Sequence, residues 1–230
     1  MRLDRLVARL SAKARRDIRQ AIASGRVRVD GAVTRDGLLE VDEFAKVELD
    51  NHVLQLRERI HLMLHKPAGY LSATTDPVHP TVMDLLGDAY PDHDLHLAGR
   101  LDRASTGLLL LTNDGGWSRR LTLPEKHFPK VYLVETADPV SPETAGVFAS
   151  GIYFAYEDLV TAPAMLEVVA LRTARVTLCE GKYHQVKRMF HAVGNRVTSL
   201  HRESVAHVVL DANLAPGEWR RLRSEEVAGI

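Results

Sequence analysis

The sequence predicts an α+β protein in two parts: a small α/β module over residues 1–58, then a domain over residues 59–230 on a mixed, largely antiparallel sheet. Three observations predict this. The first 58 residues hold two amphipathic helical stretches and then short alternating strands. From residue 60 the chain passes through repeated apolar runs rich in Val, Leu and Tyr: HLMLHK, LLLLT, VYLVET, MLEVVAL, RVTLCE and AHVVL. Helical patterns are fewer than strands and do not alternate with them, which disfavours a doubly wound parallel sheet.

In the first part, Leu3, Leu6, Val7 and Leu10 recur at helical spacing, with Ser11 as an interruption or a cap. Ala14, Ile18, Ala21 and Ile22 mark a second helix that ends at Gly25. Its other side carries Arg15, Arg16 and Arg19. In RVRVDGAV, Val27 and Val29 alternate with Arg26 and Arg28, and Asp30-Gly31 signals a hairpin turn. A second alternating run covers residues 44–49, and residues 50–59 read as a strand or linker. In the second part, helical patterns fall near residues 81–86, 116–121, 142–150 and 183–192.

The chain has 230 residues, 45% apolar and 26% charged, a globular composition. No apolar stretch is long enough to span a bilayer, and MRLDRLVARL lacks the apolar core of a signal peptide, so a cytosolic location is expected. The single cysteine, Cys179, can form neither an internal disulfide nor a metal site alone and reads as a small buried hydrophobe. The formal net charge is zero, but its distribution is uneven. Residues 1–30 hold nine Lys or Arg against three Asp, whereas residues 36–50 hold six acids against one Lys. The N-terminal module therefore has a basic face, either a nucleic-acid contact or a solvated surface.

Four stretches could carry chemistry. Gly99-Arg100-Leu101-Asp102-Arg103-Ala104-Ser105-Thr106-Gly107 is a loop bounded by glycines that feeds the buried run Leu108–Leu111 and then the turn sequence Asn113-Asp114-Gly115. Asp102 lies between Arg100 and Arg103, as a reacting group or as an exposed ion pair. Glu180-Gly181-Lys182-Tyr183-His184-Gln185-Val186-Lys187-Arg188-Met189 opens a helix with a dense basic start, suited to polyanion contact or to a solvated face. Lys187 points either to a cleft or to solvent. His184 and His191 share a face but lack partners at zinc-ligand spacing. Lys66-Pro67-Ala68-Gly69-Tyr70 is a turn after a strand, and Tyr132 sits in the strand-like Lys130-Val-Tyr-Leu-Val, where core packing is the ordinary role. The glycines match neither a dinucleotide fingerprint nor a phosphate loop, and no serine lies in a nucleophile elbow.

In this order, the stretches resemble the RsuA-like branch of bacterial ribosomal RNA pseudouridine synthases. Gly-Arg-Leu-Asp (99–102) with Ser105-Thr106-Gly107 and Leu-Leu-Leu-Leu-Thr-Asn-Asp-Gly is similar to that family's catalytic motif, which makes Asp102 the expected nucleophile. The resemblance implies that Tyr132 stacks on the target base, that Lys187 is the basic partner of Asp102, and that Leu200, within VTSLHRE, lines the base pocket. It also implies substrate contacts from Lys66, Tyr70, Arg100 and Arg188. Arg2-Leu3-Asp4-Arg5, the basic second helix and residues 25–31 are similar to an S4 RNA-binding domain, so Arg15, Arg16 and Arg19 are expected on RNA. Two positions depart from common forms of the motifs: Ala104 stands where many members carry Asp, and Lys187 where distant synthases use Arg.

The resemblance implies isomerisation of one uridine in small-subunit (16S) ribosomal RNA to pseudouridine, with no cofactor and no metal. The expected partner is 16S RNA or a small-subunit assembly intermediate, met by a monomer away from membranes. A large-subunit (23S) synthase is the nearer alternative. A non-catalytic RNA-binding assembly protein on the same fold is the other, and it would tolerate loss of Asp102, Tyr132 or Lys187.

Overall fold

In the computed structural model, which describes residues 1–90 and 94–230, the N-terminal helices form where apolar spacing places them. Helix α1 (Leu3–Ser11) buries Leu3, Leu6 and Val7, and α2 (Arg15–Ala23) buries Ile18, Ala21 and Ile22. Ser11 closes α1 by donating from its hydroxyl to the Val7 carbonyl at 2.6 Å, and Ala12 then turns left-handed. The chain divides into two units, Met1–Arg59 and Ile60–Ile230.

The first unit packs its helices with an antiparallel sheet of order β2-β1-β3-β4: β1 Val27–Val29, β2 Ala32–Thr34, β3 Val47–Leu49 and β4 His52–Gln55. Val29 pairs with Ala32, so Asp30 and Gly31 alone make the turn. Both have positive φ, 49° and 81°, as the favoured two-residue hairpin turn requires. The alternating run 44–49 becomes a strand only from Val47. The Phe44 and Ala45 amides donate to Asp42 Oδ1 at 2.9 and 2.8 Å, a local side-chain turn that competes with the ladder.

The second unit is built on a nine-stranded sheet. Its strands are β5 His61–Lys66, β6 His96–Leu97, β7 Thr106–Thr112, β8 Lys130–Thr136, β11 Met165–Ala170, β12 Thr173–Leu178, β13 Val197–Val205, β14 Val208–Val209 and β15 Trp219–Arg221. The short β9 (Tyr153–Phe154) and β10 (Leu159–Val160) form a separate ribbon. The sheet order is β11-β12-β8-β13-β7-β5-β15, with β14 on β13 and β6 on β7. Every pairing is antiparallel except β13 with β7, which joins the two halves. At this junction Gly107 (φ 105°) lies so close to β13 that a Cβ would sit 2.3 Å from the Arg202 carbonyl oxygen.

The run Leu108–Leu111 is continuous because β7 is buried on both faces. Leu109 and Leu111 join Leu62 and Leu64 of β5 in one cluster; Leu108 and Leu110 join Met63 and Trp117 in another. A third cluster gathers Leu101, Tyr132, Val134, Val176, Met189, Phe190 and Leu200.

Helices α3 (Gly115–Thr122), α4 (Thr144–Ser150) and α5 (Gln185–Ala192) occupy three of the expected stretches, and a short α6 (Ser224–Val227) follows β15. The turn sequence after β7 leads directly into α3, which Asp114 caps by accepting from the Trp117 amide at 3.0 Å. One expectation changes. Residues 81–86 do not form an α-helix. Val82, Met83 and Leu86 are buried as their spacing suggests, but the segment is 3-10 helical over Asp84–Ala89 and breaks at Gly87 (φ 55°). Cys179 is half-buried, less enclosed than expected.

Candidate active site

The loop between β6 and β7 carries Asp102, and its backbone is held at five of the six carbonyls from Arg100 to Ser105. The Arg100 carbonyl accepts from Arg202 Nη1 at 3.2 Å, and the Leu101 carbonyl from the Ser72 hydroxyl at 2.7 Å. The Asp102 carbonyl accepts from the Ser105 amide at 3.0 Å. The Arg103 carbonyl accepts from the Gly69 amide at 2.8 Å and Lys66 Nζ at 3.2 Å, and the Ser105 carbonyl from Lys66 Nζ at 2.8 Å. Satisfying these polar groups internally lets the loop adopt one shape at the edge of the core.

Helix α5 brings the second half of the site. Glu180 and Gln185 fix its entry: Glu180 Oε1 accepts from the Ala162 amide at 3.0 Å and from Gln185 Nε2, and Gln185 Oε1 accepts from the Lys182 amide at 2.9 Å. Two residues after Gln185, in the first turn of α5, Lys187 Nζ donates to Asp102 Oδ2 at 2.7 Å. This answers where Lys187 points. Both side chains are only partly exposed, 32% for Lys187 and 27% for Asp102, so the ion pair is shielded yet reachable.

Tyr132 and Leu200 lie on neighbouring strands β8 and β13 and are almost fully buried, in the apolar cluster that includes Leu101, the residue before Asp102. Asp102 and Lys187 meet directly, and their sequence neighbours Leu101 and Val186 share one apolar cluster with Tyr132 and Leu200. A carboxylate paired to a cation beside an apolar wall with an aromatic ring is suited to a flat, uncharged heterocycle.

The other expected contacts divide. Arg100 is exposed, with its side chain unpartnered among the described residues, and is open to a polyanion. Lys66 is a correction: it is fully buried, and its ammonium donates to the carbonyls of Pro67, Arg103 and Ser105, so it cannot touch RNA. Burial pushes its pKa down to about 8, against the pull of the Asp102 charge. Arg188 forks onto Glu157 with two contacts of 2.6 Å and stacks over Phe154 at 3.7 Å, so its charge is already committed. That pairing also holds the Glu157 carboxyl below its ordinary pKa. Tyr70 is half-buried against the Leu62, Leu64 and Leu109 cluster, apart from the cluster that holds Tyr132. In the first unit, Arg15, Arg16 and Arg19 are exposed along α2.

Sequence reasoning missed His184, weighed only as a zinc ligand. Its Nε2 lies 3.2 Å from Asp102 Oδ1. A contact across more than eighty residues leaves no local signal; only the alignment of the loop with the start of α5 could have suggested it.

Comparison with known proteins gives the family. Residues 60–192 match the RNA pseudouridylate synthase family, and residues 1–43 match the S4 domain. The chain is 53% identical to ribosomal small subunit pseudouridine synthase A of Pseudomonas aeruginosa and 45% identical to that of Escherichia coli K12, each over 100% of both chains. A crystal structure of a pseudouridylate synthase superposes with a TM-score of 0.71 at 38% identity, over 99% of this chain and 98% of that one. A human RNA pseudouridylate synthase domain-containing protein shares the fold at 13% identity, with a TM-score of 0.50 over 70% of this chain and 81% of its own. The chain belongs to the RNA pseudouridylate synthase family, in its RsuA-like branch with an N-terminal S4 domain.

Proposed function

We propose that the chain converts one uridine of 16S ribosomal RNA to pseudouridine, with Asp102 as the reacting carboxylate. The observation that carries the chemistry is the 2.7 Å pair between Asp102 and Lys187, whose sequence neighbours Leu101 and Val186 share an apolar cluster with Tyr132 and Leu200. The 16S assignment is supported by full-length similarity to relatives named as small-subunit synthases.

The reaction breaks the N1–C1′ glycosidic bond, turns the uracil and joins C5 to C1′, with no net gain or loss of atoms. Asp102 supplies a nucleophile, or negative charge for a cation developing at C1′. Lys187 pairs with that carboxylate and aims it, at some desolvation cost. Tyr132 stacks on the uracil and Leu200 closes the apolar side of the pocket. The uridine must leave its helical stack to enter, which costs a few kcal/mol and less where the RNA is already unpaired. Arg100 and the α2 arginines meet phosphates. The working species is a cytosolic monomer acting on 16S RNA or on a small-subunit assembly intermediate.

The deciding experiment incubates the protein separately with 16S and 23S RNA and maps pseudouridine at nucleotide resolution. One new site in 16S RNA and none in 23S RNA is expected. Modification of 23S RNA alone refutes the substrate assignment, and no pseudouridine in either RNA refutes the activity on naked RNA.

A further inference from the structure

The carboxylate of Asp102 has two partners, one per oxygen, and both come from the start of α5. Lys187 Nζ is 2.7 Å from Oδ2 and His184 Nε2 is 3.2 Å from Oδ1. His184 caps α5 in the left-handed region, with φ 48° and ψ 32°, a conformation that residues with a Cβ seldom adopt and that structures retain where surroundings enforce it. Three features enforce it here. The His184 carbonyl accepts from the Arg188 amide at 3.0 Å. The next residue, Gln185, is buried and bonded to Glu180 and the Lys182 amide. The exposed Tyr183 ring stacks on the imidazole, with centroids 4.0 Å apart and planes 17° from parallel.

We propose that His184 is a positioning residue for the pseudouridine reaction: its Nε2, set 3.2 Å from Oδ1, acts with Lys187 on Oδ2 to fix the plane of the Asp102 carboxylate. The inference rests on the reading of Asp102 as the reacting carboxylate. With one partner, the group turns readily about Cβ–Cγ, because that torsion has broad and shallow wells. A second donor on the other oxygen removes this freedom, and orientation of a reacting group is a large component of enzymatic rate. The division of labour follows from chemistry. Lys187 supplies positive charge, whereas an imidazole donates from Nε2 either as the imidazolium or as the neutral Nε2–H tautomer.

The test compares His184→Phe, which keeps a ring to stack on Tyr183 but has no donor, with His184→Gln, which restores a donor without a ring. The readouts are single-turnover pseudouridine formation at saturating RNA and RNA affinity. The Phe variant is expected to lose at least about tenfold in rate with affinity within about twofold, and Gln to return within about threefold of the original rate. A wild-type rate in the Phe variant overturns the proposal. So does a Gln variant as slow as Phe, or a defect confined to affinity.

A second measurement needs neither RNA nor a folded Phe variant. The imidazole nitrogens of His184 are followed by NMR in the wild-type protein and in Asp102→Ala. A displaced Nε2 resonance in Asp102→Ala is expected, and unchanged nitrogen shifts overturn the contact. Wild-type protein that modifies no RNA would refute the function, while this comparison still decides whether His184 and Asp102 are in contact.

Discussion

Two groups of basic residues, one in each unit, are used in opposite ways. In the N-terminal unit, Arg15, Arg16 and Arg19 project from α2 into solvent with no side-chain partner among the described residues. Around the candidate site of the second unit, Arg100 apart, the cations are committed: Lys66 and Arg202 to loop carbonyls, Lys187 to Asp102, and Arg188 to Glu157. Unpaired surface cations bind a polyanion by releasing its counterions, with little demand on geometry. Cations bonded inside the protein give shape, and salt screens them far less. Affinity and chemistry should therefore be separable by mutation.

The largest effect tests the committed side. Asp102→Asn keeps shape and hydrogen bonding but removes the charge. It should yield a folded protein that binds RNA and forms no measurable pseudouridine. Residual activity within about tenfold of wild type, roughly 1.4 kcal/mol in barrier, would contradict the assignment. Next, Lys187→Met should slow single turnover by about a hundredfold, the scale of deleting one preorganised charge partner, with a smaller change in RNA affinity. Lys187→Arg should retain more activity, because charge survives although the fork has a different shape. An unchanged rate in the Met variant would reduce Lys187 to surface charge.

The third effect is on stability. Lys66→Met strands the Ser105 and Pro67 carbonyls and should cost about 1–3 kcal/mol at neutral pH, measured by denaturant unfolding. The cost should also depend on pH. Lys66 titrates near 8 when folded and near its ordinary value of 10.5 when unfolded, so between these values the unfolded chain holds more protons. The contribution of Lys66 is therefore full above about 10.5 and falls as pH drops through 8. The stability difference between wild type and Lys66→Met should widen in favour of wild type from pH 8 to pH 10. A gap that is constant or shrinking over that range would show that the ammonium is not desolvated in the folded protein.

The smallest effect tests the unpaired side. Neutralising Arg15, Arg16 and Arg19 together should weaken RNA binding and shrink the log–log salt slope by about 2 to 3. Single-turnover rate at saturating RNA should barely change. Equal salt slopes in the two proteins would return α2 to the status of a solvated surface.

The legible parts of the molecule were those written in adjacent residues. Helical spacing located α1 and α2, Asp30-Gly31 located the hairpin, and the run Leu108–Leu111 located a strand buried on both faces. The Asp102 loop and the basic start of α5 stood out as dense polar segments, but pattern alone left Lys187 facing either cleft or solvent. What stayed hidden depends on partners far along the chain. Lys66 looks like a surface cation until the carbonyls of Arg103 and Ser105 close around it. His184 has no visible purpose until α5 sets it against Asp102. The segment 81–86 has helical spacing because it is buried, yet Gly87 ends its turn too soon for an α-helix.

The carbonyl clamps on residues 100–105 also decide when the cost of ordering the site falls due. A floppy loop would surrender its conformational entropy when RNA arrives, and each binding event would be weaker by that amount. Here the loop is ordered as the polypeptide folds, through Lys66, Ser72 and Arg202. Calorimetry of RNA binding should then show little heat-capacity change from this loop, whereas loosening a clamp should transfer that signature from protein unfolding to complex formation.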